Sequence, residues 1–274
     1  MTKKIKLMFC EIHNAFNKIT SYSKNSQDYT QEVKKFIERI GYQQFDYIQR
    51  NINKQTKLFD REYAVYKLNY TTLQIEFISL VTNYDPTEYH TTLDTTDQYL
   101  LLNALSPQTL CNYILDNQQT RFIFFPLNYM TESKDSGHIA SLVFDNQTKK
   151  VYMADSNGKS TYFDQLLGQP MNQYIEYMLS NYIKDINNLG LSYQYVFIDE
   201  WNAKNLHMNK HFKNSYVGVG HCLILSLMIS HVMTQFAIIP KDAFELLAQL
   251  EDEELLFLIK EYGLGLYNML RNKQ

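Results

Sequence analysis

The chain has 274 residues, a net charge of −3 with both signs scattered, and three cysteines, Cys10, Cys111 and Cys222. That length is ample for a real core in one large domain or two small ones; the charge offers no basic field for direct nucleic-acid binding, and cysteines so few and so dispersed supply neither a disulfide framework nor a thiolate zinc site. No run approaches the roughly 18 uninterrupted apolar residues of a membrane span, and the Lys-rich start lacks the apolar stretch of a signal peptide, so the expected setting is a reducing cytoplasm, or a host cytoplasm for an exported effector or viral protein.

In chain order, Val33, Phe36, Ile37, Ile40, Phe45 and Ile48 recur at helical spacing, which predicts a helix over about 28–55. From Thr92 to Gln118 two more helices are expected, the first through Leu100, Leu101 and Leu105, the second opened by Ser106 as a cap and Pro107 in its first turn. Residues 1–91 therefore read as a mostly helical region for substrate or partner recognition, ahead of a domain over 92–274 that carries the chemistry. The pattern changes at Arg121. Arg121–Pro126, His138–Phe144 and Lys150–Ala154 are short apolar runs bounded by polar or turn residues, as strands are. The connector Asp145-Asn146-Gln147-Thr148 has hairpin length, so the last two runs are expected to pair antiparallel. A helix over Gln165–Ile186, a fourth strand over Tyr193–Ile198, a polar loop to Asn214, a helix from Cys222 and a helical tail over Lys241–Leu270 complete the expectation. The acidic run Glu251–Glu254 reads as a solvated helix start or as part of an export signal.

The chemistry centres on Gly218-Val219-Gly220-His221-Cys222, which runs straight into an apolar helix. The first N–H groups of a helix lack intrahelical partners and, with the macrodipole, favour a thiolate over a thiol. Taken alone, Cys222 suits packing as well as reactivity, because free cysteine is among the most buried residue types. A cysteine nucleophile also needs a base, and the base an orienting acceptor. His138 opens one strand and Asp155 lies just past the end of its hairpin partner, so the two meet across the sheet.

The order His138, Asp155, Cys222, preceded by Phe122-Ile123-Phe124-Phe125-Pro126-Leu127-Asn128, resembles the SUMO-protease and adenovirus-protease clan of cysteine peptidases, which includes viral and bacterial-effector members. The resemblance covers roughly 120–235. It implies an α+β, papain-like or adenain-like core with a mixed, largely antiparallel sheet flanked by helices. It also implies a Cys222 nucleophile, a His138 base and an Asp155 orienter, with Asn157 as the alternative orienter. Implied too are cofactor-free hydrolysis of a peptide or isopeptide bond and a protein substrate, either a ubiquitin-like modifier conjugate or a polyprotein. Two positions depart from the family pattern: Ile139 stands where Trp commonly follows the histidine, and 214–221 contain no Gln to serve the oxyanion. Asn202 or Asn214 is the alternative donor, alongside the Cys222 N–H. A YopJ-like acetyltransferase with the same triad, and an inactive binding module of the same fold, are the competing readings.

Trp201 reads as a core residue or as a wall of the substrate groove. His207 and His211 have the i, i+4 spacing of a zinc pair, with His221 as a third ligand, but they lie in a loop and no Glu follows the first, so the expectation is no metal. His13, His90 and His231 carry no pattern and read as structural or surface residues.

Overall fold

Short apolar runs separated by turn residues become the strands of one seven-stranded sheet in the computed structural model, which describes residues 62–69, 72, 74–81, 99–131, 137–158, 171–201, 206, 221–250 and 252–271. The strands are β1 (Tyr63–Asn69), β2 (Gln74–Val81), β3 (Tyr99–Leu105), β4 (Phe122–Thr131), β5 (Gly137–Asp145), β6 (Lys150–Ala154) and β7 (Gln194–Val196). The helices are α1 (Pro107–Asp116), α2 (Met171–Asn188), the single-turn α3 (Ile198–Trp201), α4 (Cys222–Phe236), α5 (Pro240–Leu247) and α6 (Asp252–Arg271). The sheet order is β2-β1-β3-β4-β5-β6-β7. Every pair is antiparallel except β6 with β7, which run parallel and are joined through α2, as a parallel connection requires. The fold is α+β, with a mixed sheet flanked by helices.

Two expectations are corrected. Leu100, Leu101 and Leu105 lie on β3, not on a helix: Tyr-Leu-Leu-Leu-Asn-Ala-Leu is apolar but for Asn103, and such a run between two neighbouring strands is read equally well as an interior strand. The expected helix over 28–55 lies outside the described residues, whereas Tyr63–Val81, inside the region read as mostly helical, is a hairpin of the same sheet as β3–β7. The sheet therefore crosses the expected boundary at residue 91.

Other local expectations match. Ser106 is the N-cap of α1, its hydroxyl accepting from the Thr109 N–H at 3.2 Å, with Pro107 in the first turn. The β5–β6 hairpin is closed by Asp145, whose carboxylate accepts from the Gln147 and Thr148 N–H groups at 3.0 and 3.4 Å. Among the described residues, no helix is long and apolar enough to cross a membrane.

Register alternation separates the two faces. Phe125 pairs with Leu142 and Pro126 with Ser141, so Phe125 and Ser141 point to opposite sides. Phe125 meets Tyr113 of α1 edge to face, and Tyr182 of α2 meets Tyr66, whose register row through Leu102 and Tyr129 ends at His138. Ser141 instead touches α4, against which α5 and α6 pack. Helices α1 and α2 thus cover one face and α4–α6 the other. Among the described residues, fully buried Tyr63, Tyr182, Phe144 and Phe244 are the bulkiest ring side chains of that interior. The Tyr182 hydroxyl is satisfied by donating to the Leu105 carbonyl at 2.6 Å. Tyr182→Phe is therefore expected to lose about 1–2 kcal/mol in urea unfolding, because it leaves that carbonyl without its donor inside an apolar layer.

Pro126 lies on an interior strand, where a missing N–H is ordinarily costly. The β3 ladder reaches only as far as Asn128 on β4, so Pro126 stands past its end on that side. Its N–H is missing where no strand asks for one. The antiparallel alternation repeats every two residues, so Asn128–Ile139 and Pro126–Ser141 are pairs of the same phase, with main-chain groups pointing away from the shared ladder.

Candidate active site

Three segments converge at the open end of β5. His138 is its second residue, β6 stops at Ala154 opposite Ser141, and α4 begins at Cys222. Continuing the β5–β6 register past its end sets Asp155 opposite Ala140 and Asn157 opposite His138. Asp155 and Asn157 therefore fall on the same side as His138, and the tight turn 155–158, closed by the Gly158 N–H on the Asp155 carbonyl at 2.9 Å, brings both to the ring.

Asp155 is fully buried, and its Oδ1 lies 2.7 Å from His138 Nε2 while accepting from the Asn157 N–H at 2.8 Å. Nε2–H donates to the carboxylate, which leaves Nδ1 as the ring nitrogen that meets sulfur. Asn157 plays a different part. Its Nδ2 is 3.1 Å from Nε2 and 3.4 Å from Nδ1. An atom so nearly equidistant from both nitrogens cannot lie in the ring plane, where it would collide with the carbon between them, so the amide lies over the face of the ring. Of the two expected orienters, Asp155 makes the in-plane hydrogen bond.

The Cys222 thiol is hydrogen-bonded to the His138 ring and to the Ile139 main chain. Burial alone pushes the thiol up, but the hydrogen bond and charge of His138, with the Ile139 N–H, bring it below its ordinary value. Burial likewise disfavours a charged imidazole. The Asp155 carboxylate, by charge and hydrogen bond, and then the sulfur, overcome that and raise His138 to about 10. Each group favours the charged form of the other, beside a buried carboxylate. Cys222 remains partly accessible, as a group that meets a substrate must.

Ile139 explains how this holds without an aromatic residue after the histidine. Its N–H serves the Cys222 sulfur and its carbonyl accepts from Ser226 Oγ at 3.1 Å. Both groups point away from β4, as the register phase requires, into the place that β6 has vacated. The main chain of Ile139, not its side chain, forms the contact.

Helix α4 has His221 as N-cap with no side-chain cap hydrogen bond. Its first intrahelical bond runs from the Leu225 N–H to the His221 carbonyl at 2.8 Å, so the Cys222 N–H precedes the helix ladder and is suited to a developing oxyanion. Asn202 and Asn214, the expected second donors, lie outside the described residues, as do His207 and His211. Trp201 ends α3, whose first N–H, that of Ile198, donates to the buried Glu176 carboxylate. His221 is buried and held neutral, its pKa lowered to about 3 by burial and then by the charge of Lys260.

Sequence reasoning missed Ser226 and the Ile139 main chain. The signal for Ser226 was present as Cys222, Ser226, Ser230 and Thr234, a polar residue at every fourth position of a mostly apolar helix. No family model matches this chain, and no curated protein or solved structure proves significantly similar to it.

Proposed function

We propose that this protein is a cysteine peptidase that hydrolyses a peptide or isopeptide bond through Cys222, His138 and Asp155. The observation that carries the reading is one imidazole engaged by two partners: Asp155 at 2.7 Å on Nε2, and the hydrogen-bonded Cys222 thiol, for which Nδ1 is the nitrogen left. The Cys222 thiolate attacks the carbonyl carbon and forms the tetrahedral intermediate, whose oxyanion is received at the start of α4. His138, protonated in the resting pair, gives its Nδ1 proton to the leaving amine. It then takes a proton from the water that attacks the acyl group, and the sulfur departs as the thiolate, which restores the resting pair. Asp155 keeps the ring oriented and its charge stabilised throughout. The residue set is self-sufficient for this cycle, and the substrate class that follows from the resemblance is a protein bearing a ubiquitin-like modifier or a polyprotein. The papain-like or adenain-like core belongs to the same proposal.

A ubiquitin-family vinyl-sulfone or propargyl probe is expected to label Cys222, and labelling is expected to vanish in Cys222→Ala. Acetyl transfer from acetyl-CoA without probe labelling would replace this reading with that of an acetyltransferase. Neither activity, together with an unreactive Cys222 thiol, would leave a binding module.

A further inference from the structure

Helix α4 is apolar on nearly every side, with Leu223, Ile224, Leu225, Met228 and Ile229 all buried, so hydrophobic burial alone favours no particular rotation or slide on the sheet. One polar line runs down it, from Cys222 through Ser226 and Ser230 to Thr234. Two of these hydroxyls turn back on their own helix: Ser230 Oγ donates to the Ser226 carbonyl at 2.8 Å, with Ser141 Oγ 3.4 Å away, and Thr234 Oγ1 donates to the Ser230 carbonyl at 2.9 Å. Ser226 does not. Its hydroxyl crosses to the Ile139 carbonyl at 3.1 Å, and Ser141 Oγ returns the link to the Ser226 carbonyl at 3.4 Å.

We infer that Ser226 is a positioning residue for Cys222, fixing the register of α4 on β5 so that the Ile139 N–H and the His138 ring both meet the sulfur; this rests on the proposed reaction. The period of the helix makes the link effective. Four helical residues advance about 6 Å, and Cys222 and Ser226, one such step apart, engage the N–H and the carbonyl of the same residue, Ile139. A slip by one such step carries the sulfur about 6 Å away, far beyond a hydrogen bond. Apolar side chains tolerate partial slides, whereas a hydroxyl on a carbonyl holds to a few tenths of an ångström. The same Ile139 peptide offers its carbonyl to Ser226 and its N–H to Cys222, so anchoring one aims the other.

The test is the pH profile of iodoacetamide alkylation, read at Cys222 by peptide mass on the full chain. In the unaltered protein a reactive limb is expected below the ordinary thiol range, abolished by His138→Ala. Ser226→Ala and Ser226→Val are expected to shift that limb upward by about one unit, an order-of-tenfold loss of rate at pH 6. Ser226→Thr keeps the hydroxyl and the limb, and Ser230→Ala leaves the profile unchanged. Thr and Val have nearly the same shape, so their difference isolates the hydroxyl even where Ser226→Ala is poorly folded. Identical profiles for folded Ser226→Val and Ser226→Thr, with the His138-dependent limb intact, would overturn the inference and leave the proposed reaction standing. A profile that His138→Ala does not change would overturn both.

Discussion

His138→Ala is expected to cut turnover on the order of 10³–10⁴-fold and to remove the low-pH limb of Cys222 alkylation. The reasoning runs through what remains when the ring is gone. Burial is the largest influence on the thiol and pushes its pKa up; only the hydrogen bond and charge of His138, helped by the Ile139 N–H, reverse it. Without the ring the thiol returns to at least its ordinary value of about 8.5, where only about 1% is ionised at pH 6.5. A low-pKa thiolate is less nucleophilic, but the Brønsted slope of about 0.4–0.5 offsets less than half of the gain in thiolate on a logarithmic scale, so ionisation wins. The rest of the loss is the missing proton donor for the leaving group. Asp155→Asn should act through the ring in the same direction: with the carboxylate charge gone, burial dominates and the imidazole turns neutral. Stopped-flow alkylation across pH 5–9, beside turnover of a labelled substrate, separates the two contributions. An alkylation profile identical to that of the unaltered protein would show that His138 does not govern the thiol.

The second large effect concerns stability in acid. His221 and His231 are both buried, with pKa values lowered to about 3 and about 4, by burial in each case and by Lys260 in addition at His221. Unfolded, each titrates near 6.5. Above that pH neither state binds the protons. Below it the unfolded chain takes up two that the folded chain refuses until pH falls to their lowered values, so stability declines as pH falls. The slope is about 2.7 kcal/mol per pH unit for two protons, or on the order of 5 kcal/mol between pH 6.5 and 4.5. The Cys222–His138 pair adds to this for as long as Cys222 stays ionised, because in that range the unfolded pair holds two protons and the folded ion pair one. Between about 6.5 and 8.5 the pair is neutral in effect, with one proton in either state. A domain at the low end of the typical range, about 5 kcal/mol, loses most of its stability by about pH 4.5 through this term. Urea midpoints measured from pH 7.5 to 5 should show the decline, and His231→Phe, which retains an aromatic ring against Tyr262, should make it shallower by one proton. Midpoints flat over that range would contradict the burial of these histidines.

Much of the site was legible because its parts are local. A hairpin of short connector length brings His138 near Asp155 whatever the rest of the chain does, and a glycine-flanked cysteine before an apolar run marks the start of a helix. The choice between Asp155 and Asn157 was not legible, since equal parity puts both on the same side and only the turn at 155–158 decides which reaches the ring plane. Leu100–Leu105 was misread because a largely apolar run satisfies a helix and an interior strand alike, and what settles it is the presence of strands on both sides. The hairpin Tyr63–Val81 was absorbed into a helical region for a related reason: pairing partners far along the chain, not local periodicity, hold β1 between β2 and β3.

By itself, then, the sequence determined the three residues of the proposed triad, their order, the hairpin that joins two of them and the helix start that carries the third. Tertiary structure decided the rest: that α4 lies on β5 where β6 has ended, that Ile139 contributes its main chain, and that Ser226 sets the distance between sulfur and ring. The division follows from the range of the forces. Turn chemistry and helix starts act over a few neighbouring residues and leave marks in sequence, whereas the register between a mostly apolar helix and a strand separated by some eighty residues is fixed by a few directional hydrogen bonds that only the packed structure brings together.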